Sequence, residues 1–145
     1  MKLLIVNGPN LNLLGTREPE IYGTVSMTDV LSALKDEFAQ TATIDYFQSN
    51  HEGALIDRLQ DTDYDALIIN PGAFTHYSYA LADCLKNILC PKVEVHISPI
   101  YKREPFRQKS VTAPHTDAVL SGFGVEGYRL AAIYLTKNTL QNTVK

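Results

Sequence analysis

LLIVNGPNLNLLGTREPEIYG, residues 3–23, opens with four apolar residues and halts at Asn7-Gly8-Pro9. A continuous apolar run of that length, bounded by turn residues, reads as a strand buried on both faces, as in a parallel sheet covered by helices. The remainder of the stretch is too long for an ordinary strand-to-helix connection, and its Gly, Pro and Asn residues keep it from being helical. A long loop at a strand end is usually functional. This one carries Asn10, Arg17 and Tyr22, with Gly15 and Gly23 placed as hinges, so it predicts a polar, mobile cover over a pocket.

Working outward, Ser26 or Thr28 caps a helix through Val30, Leu31, Leu34 and Phe38, and residues 43–47 (TIDYF) form a second strand. SNHEG at 49–53 opens a helix that turns Leu55, Ile56 and Leu59 inward; residues 66–69 are a third strand, ending at Asn70-Pro71-Gly72. A third helix follows, with His76 in its first turn and Leu81, Cys84, Leu85 and Ile88 as its apolar stripe. Pro91 precedes a fourth strand at 93–97, and residues 98–114 are irregular apart from a short amphipathic piece around Phe106. A weak fifth strand at 118–120 leads through Gly122, Gly124 and Gly127 to a last helix containing Tyr128, Leu130, Ala131, Ile133 and Tyr134. Residues 138–145 are polar and read as a frayed end.

Strand and helix patterns thus alternate five times. They predict an α/β fold, a flavodoxin-like doubly wound five-stranded parallel sheet with helices on both faces and right-handed crossovers. In such sheets ligands bind beyond the carboxyl ends of the strands, near the point where strand order reverses. Residues 7–22, 70–76 and 96–107 all begin at those ends, so three distant segments meet at one rim.

A chain of 145 residues, 45% hydrophobic, can bury one ordinary core, and residues 1–145 read as a single domain. A net charge of -3 with scattered basic residues lacks the positive footprint that nucleic acid requires, which favours a small-molecule partner. Cys84 and Cys90 have neither metal-site spacing nor a second pair, and read as packing thiols. No segment has membrane-spanning length and no apolar leader follows Met1-Lys2, so a cytoplasmic protein is expected.

Glu94 and His96 are two apart on a strand and point to the same side, so the carboxylate can hold the imidazole in one tautomer. That is an acid/base pair at the rim. A metal there lacks further ligands nearby. Asp83, seven residues beyond His76 on the same helix face, sits about 10 Å along the axis, too far to share its pocket, and is expected to face a neighbouring subunit. Tyr22, a phenol with an ordinary pKa near 10, needs cations to serve as a base. A guanidinium about 4 Å away supplies roughly 4 kcal/mol at an effective dielectric of about 20, against the ~2.7 that a two-unit shift requires. Arg17, with Arg103 from the other long segment, could supply it. Ile97 and Ser98 offer backbone N–H groups for a carboxylate, and Arg107 adds a two-pronged donor. Asn10, Asn12 and Asn70 also suit turns. His51 and His115 carry no assigned role.

Taken together, NGPNLNLLGTREPEIYG at 7–23, QSNHEG at 48–53, INPGAFTHYSYALAD at 69–83, EVHIS at 94–98, REPFR at 103–107 and GFGVEGY at 122–128 resemble the type II dehydroquinases, almost end to end. The resemblance implies anti elimination of water from 3-dehydroquinate through an enolate, without cofactor or metal, in shikimate or quinate metabolism. It implies Tyr22 as base, Arg17 keeping it ionised, Asn10 holding a water against the enolate oxygen, and His96, oriented by Glu94, protonating the departing hydroxyl. Asn70, His76 and Arg107 would bind substrate hydroxyls, and Ser98 with the Ile97 backbone the carboxylate. Asp83 would lie at a trimer contact, and trimers would assemble into a dodecamer. Pro99, Ala82 and Ala118 depart from the family pattern at non-catalytic positions.

The rival reading is a flavodoxin-like binding module without catalysis. A phosphate-accepting version would need acidic residues where Asn7 and Asn70 stand. A phosphate-binding loop would need Lys-Ser or Lys-Thr after residue 15. A lysine Schiff-base dehydratase on a β/α barrel would need about 250 residues.

Overall fold

Strands β1 (Lys2–Asn7), β2 (Thr43–Gln48), β3 (Ala66–Asn70), β4 (Lys92–His96) and β5 (Ala118–Ser121) pair in parallel in the order β2-β1-β3-β4-β5. This is the expected doubly wound α/β sheet. The computed structural model describes residues 1–16, 18, 20 and 24–142, and of 138–142 the backbone alone. Arg17, Tyr22 and Gly23 lie outside the described residues.

The continuous apolar runs occupy the central strands because only there are both faces covered. Residues 3–6 of β1 and 66–69 of β3 are fully buried. Leu3, Ile5, Ala66, Ile68, Val93 and Val95 face one layer, made by α1 (Met27–Glu37) and by Tyr128, Ala131, Ala132 and Leu135 of α4 (Glu126–Asn142). Leu4, Val6, Leu67 and Ile69 face the other layer, made by α2 (Glu52–Gln60) and α3 (Tyr79–Asn87). Ser26 rather than Thr28 starts α1, through a capping box in which its side chain accepts from Asp29 N–H and the Asp29 carboxylate accepts from Ser26 N–H. Cys84, on α3, and Cys90, just beyond it, are free thiols in or against the layer of α2 and α3, and burial pushes both upward in pKa. No helix among the described residues is long and apolar enough to cross a membrane.

Strand order reverses between β1 and β3, and Gly8 and Asn70 close that point. Gly8 N–H donates to the Asn70 carbonyl at 2.8 Å. A Cβ at Gly8 would collide with the Pro71 carbonyl oxygen, so only glycine permits the approach.

Three expectations are corrected. His76 is not in the first turn of α3: it ends a separate 3-10 turn, Gly72–His76, and Ser78 then caps α3 by accepting from Leu81 N–H. The axial separation argued for His76 and Asp83 therefore assumed a continuous helix that does not exist. The end of the chain is helical through Asn142 instead of fraying from 138. The loop after β1 is also less free than expected, because Leu11 and Leu14 around a 3-10 turn, Leu11–Leu13, are buried in the core.

Candidate active site

At the carboxyl ends of β1, β3 and β4 lies a cleft of about 130 Å³. It brings together Asn10, Asn70, His76 and His96 with Ile97, Ser98, Arg103 and Arg107. Glu94 lies beneath this surface, fully buried. Asp83 is exposed on α3 and does not line the cleft.

Each side chain is held by a different device. Asn10 adopts a left-handed backbone at φ 67°, and its N–H donates to Asn50 Oδ1 at 2.9 Å. Gln48 Nε2 donates to the same oxygen at 3.1 Å and to the Gly8 carbonyl at 3.2 Å, so the QSN of the second strand end clamps the first loop. Asn70 is 2% exposed; its Oδ1 accepts from Gly72 N–H and its Nδ2 donates to the Tyr128 hydroxyl at 3.0 Å. That hydroxyl donates in turn to Asn7 Oδ1 at 2.8 Å. Arg103 donates to Ser98 Oγ at 3.1 Å. Arg107 lies 3.3 Å from Glu104 as an ion pair, its guanidinium over the Phe106 ring.

The two histidines are tied to different acceptors. His76 Nδ1 lies 2.6 Å from the Lys109 carbonyl, which can only accept, so Nδ1 carries the proton and Nε2 is left as an acceptor. Burial lowers the His76 pKa, with the neighbouring His96 and Arg107 adding to the effect, so the ring is neutral at pH 7. His96 Nε2 lies 2.6 Å from Glu94 Oε1, which leaves Nδ1 for a ligand. Burial works to raise the Glu94 carboxyl, but the His96 hydrogen bond and charge, with the Thr75 and Thr112 hydroxyls, carry it below the usual range. Glu94 is therefore a carboxylate despite its burial.

The structure thus joins the expected pair and most of the expected binding groups in one concavity. Sequence reasoning passed over Thr75, Ser110 and Thr112 around Glu94, and Tyr128 and Asn7 behind Asn70. The signal was available as a question about satisfaction: a buried carboxylate or amide needs partners. Among the described residues, no three His, Cys, Asp or Glu side chains are grouped to hold a metal ion.

Residues 1–136 match the family model described as Dehydroquinase class II. A Thermotoga maritima protein named 3-dehydroquinate dehydratase is 54% identical over 138 residues, which cover 94% of this chain and 96% of the relative. Among solved structures, the type II dehydroquinase from Butyrivibrio crossotus superposes with a TM-score of 0.89 at 43% identity, covering 93% of this chain and 97% of that one. The type II dehydroquinase from Propionibacterium acnes gives 0.90 at 37% identity, covering 94% and 96%.

Proposed function

This chain belongs to the class II dehydroquinase family, and on that premise we propose that its cleft converts 3-dehydroquinate to 3-dehydroshikimate, as one catalytic domain over residues 1–145. The observation that carries the reading is the buried Glu94–His96 pair opening on the same cleft as a neutral His76 and two arginines. An elimination that passes through an enolate needs a base, an acid and a stabilised oxyanion; His96 suits the acid, the polar side chains of the cleft suit the oxyanion, and the base is assigned to Tyr22, outside the described residues.

In this scheme Tyr22, kept ionised by Arg17 and assisted by Arg103, takes the proton beside the ketone. Asn10 holds a water against the enolate oxygen. His96 gives the Nδ1 proton to the departing hydroxyl, and Glu94 stabilises the imidazolium beforehand. Asn70 retains a second amide proton for a substrate hydroxyl, His76 Nε2 accepts from another, and Arg107 adds donors. Ser98 and the Ile97 backbone take the substrate carboxylate. Asp83, exposed on α3, belongs to a subunit contact in trimers that assemble into a dodecamer. The setting is the cytoplasm, in shikimate or quinate metabolism.

The test is the growth of conjugated-enone absorbance on mixing with 3-dehydroquinate, with and without borohydride. Turnover that persists in borohydride is expected; irreversible trapping would point to a Schiff base and overturn the scheme. Tyr22→Phe should lower kcat about 10²–10⁴-fold with substrate affinity retained. Normal turnover would remove Tyr22 from the role of base.

A further inference from the structure

Among the described residues, the short contacts of the Glu94 carboxylate converge on one oxygen. Oε1 accepts from His96 Nε2 at 2.6 Å, from Thr75 Oγ1 at 2.7 Å and from Ser110 Oγ at 3.3 Å, whereas Oε2, although buried, has no hydrogen-bond partner among the described residues. Thr75, Thr112 and Glu94 are all fully buried. The proton directions follow from the acceptors. An ionised carboxylate only accepts, so Thr75 donates to it and keeps its lone pairs for Thr112 and for Ser110, each 2.7 Å away, the single Ser110 proton being shared between Thr75 and the carboxylate. Ala113 N–H donates to Ser110 Oγ at 2.9 Å, fixing the outer end of the chain. The hydroxyls are therefore polarised toward Glu94 and compete with His96 for the same atom.

The backbone holds this cluster together. Val111 N–H donates to the Thr75 carbonyl at 2.7 Å, and the Lys109 carbonyl takes the His76 proton. We infer that Thr75, supported by Ser110 and Thr112, is a positioning residue that sets how strongly Glu94 holds the His96 ring, and through it how readily that ring gives up its proton. This deepens the acid role given to His96 above and rests on it for its catalytic consequence. Besides the carboxylate, the titratable and charged groups near the ring among the described residues are His76, from the turn before α3, and Arg103 and Arg107, from the segment after β4.

Removing the Thr75 hydroxyl leaves Oε1 to His96 and the longer Ser110 contact. The carboxylate then favours the protonated ring more strongly, and a proton shared within the pair moves in the same direction. Thr75→Val, which keeps the side-chain shape, should raise the upper titration midpoint of the pair by about one pH unit, as expected for one hydrogen bond to a charged group. The midpoint is followed through the ring C–H resonances of His96, assigned by their loss in His96→Ala. Thr75→Ser, which restores the hydroxyl, should return it to the wild-type value. Ser110→Ala, which removes the longer contact, should give a smaller rise in the same direction and carries the test should Thr75→Val fail to fold.

A midpoint unmoved in Thr75→Val, or moved equally in Thr75→Ser, would overturn the inference whatever the activity. If the midpoint rises and the alkaline limb of the kcat profile moves with it while kcat falls severalfold, both the inference and the acid role stand. If the midpoint rises and the kcat profile does not follow, the tuning stands and the assignment of His96 as the acid falls.

Discussion

Tyr128→Phe removes one atom from the most enclosed polar contact behind the cleft. The Tyr128 side chain is fully buried, and its hydroxyl accepts from Asn70 Nδ2 at 3.0 Å and donates to Asn7 Oδ1 at 2.8 Å. Both asparagines are themselves buried, so no water replaces the lost partner. The atoms left unpaired are Asn70 Nδ2 and Asn7 Oδ1, at a cost of about 2–4 kcal/mol together. For a chain of this size that is a fall in Tm of about 5–12 °C at fixed protein concentration. The pH dependence adds a second signature. Burial pushes the Tyr128 phenol well above its ordinary value. Its contribution to stability is therefore complete below the unfolded tyrosine value near 10 and is lost as pH rises toward the folded one. Tyr64 and Tyr46 are shifted upward by burial as well. Wild type should lose stability steeply above about pH 10, and Tyr128→Phe should remove about 1.4 kcal/mol per pH unit from that slope. Thermal and urea unfolding across that range measure both effects. A Tm within about 1 °C of wild type, with the alkaline slope unchanged, would refute the network.

Gly8→Ala should leave little folded protein in a soluble expression assay, because the new Cβ meets backbone at Pro71 on the neighbouring strand end and neither side can yield. Asn50→Ala should lower kcat/KM by about 2–12-fold while leaving Tm within about 1 °C, since the lost bond to Asn10 is exposed and orients a loop that carries a site residue; an unchanged kcat/KM would show that the clamp has no bearing on the cleft. His96→Ala should lose about 10²–10⁴-fold in kcat and regain part of it with a substrate whose leaving group needs no proton. Absence of any regain would argue against proton delivery to the departing group.

The sheet was legible because β1 and β3 are apolar without interruption, which only central parallel strands tolerate. The cleft was legible because turn residues end those strands where the order reverses. His76 was misplaced because spacing alone does not separate a 3-10 turn from the start of an α-helix. The capping residue Ser78, three before Leu81, was the sign that a new helix begins there. Residues 138–142 were read as frayed from polarity, yet a helix nucleated by the packed turns from Tyr128 to Leu135 extends through polar residues at little further cost. The hydroxyls around Glu94 left no local trace. Thr75 is 35 residues from Ser110 and 37 from Thr112, and only the fold brings them together.

The two histidines of the cleft differ in the kind of oxygen each ring meets, and the segment carrying Lys109, Ser110 and Thr112 reaches both. His76 is given a carbonyl, a dipole without net charge, which orients the ring but does little to stabilise an imidazolium against burial. Its contribution to stability is present above the unfolded histidine value near 6.5 and lost as pH falls through the lower folded one. His96 is given a carboxylate, which carries a full charge. The same segment also supplies the Ser110 and Thr112 hydroxyls around that carboxylate and Thr75, so on the proposed roles the acceptor of His96 does not hold the proton beyond use. On the proposed roles, two identical side chains divide into a fixed acceptor and a proton donor without any difference in their own chemistry, and the division should follow the acceptors if these are exchanged.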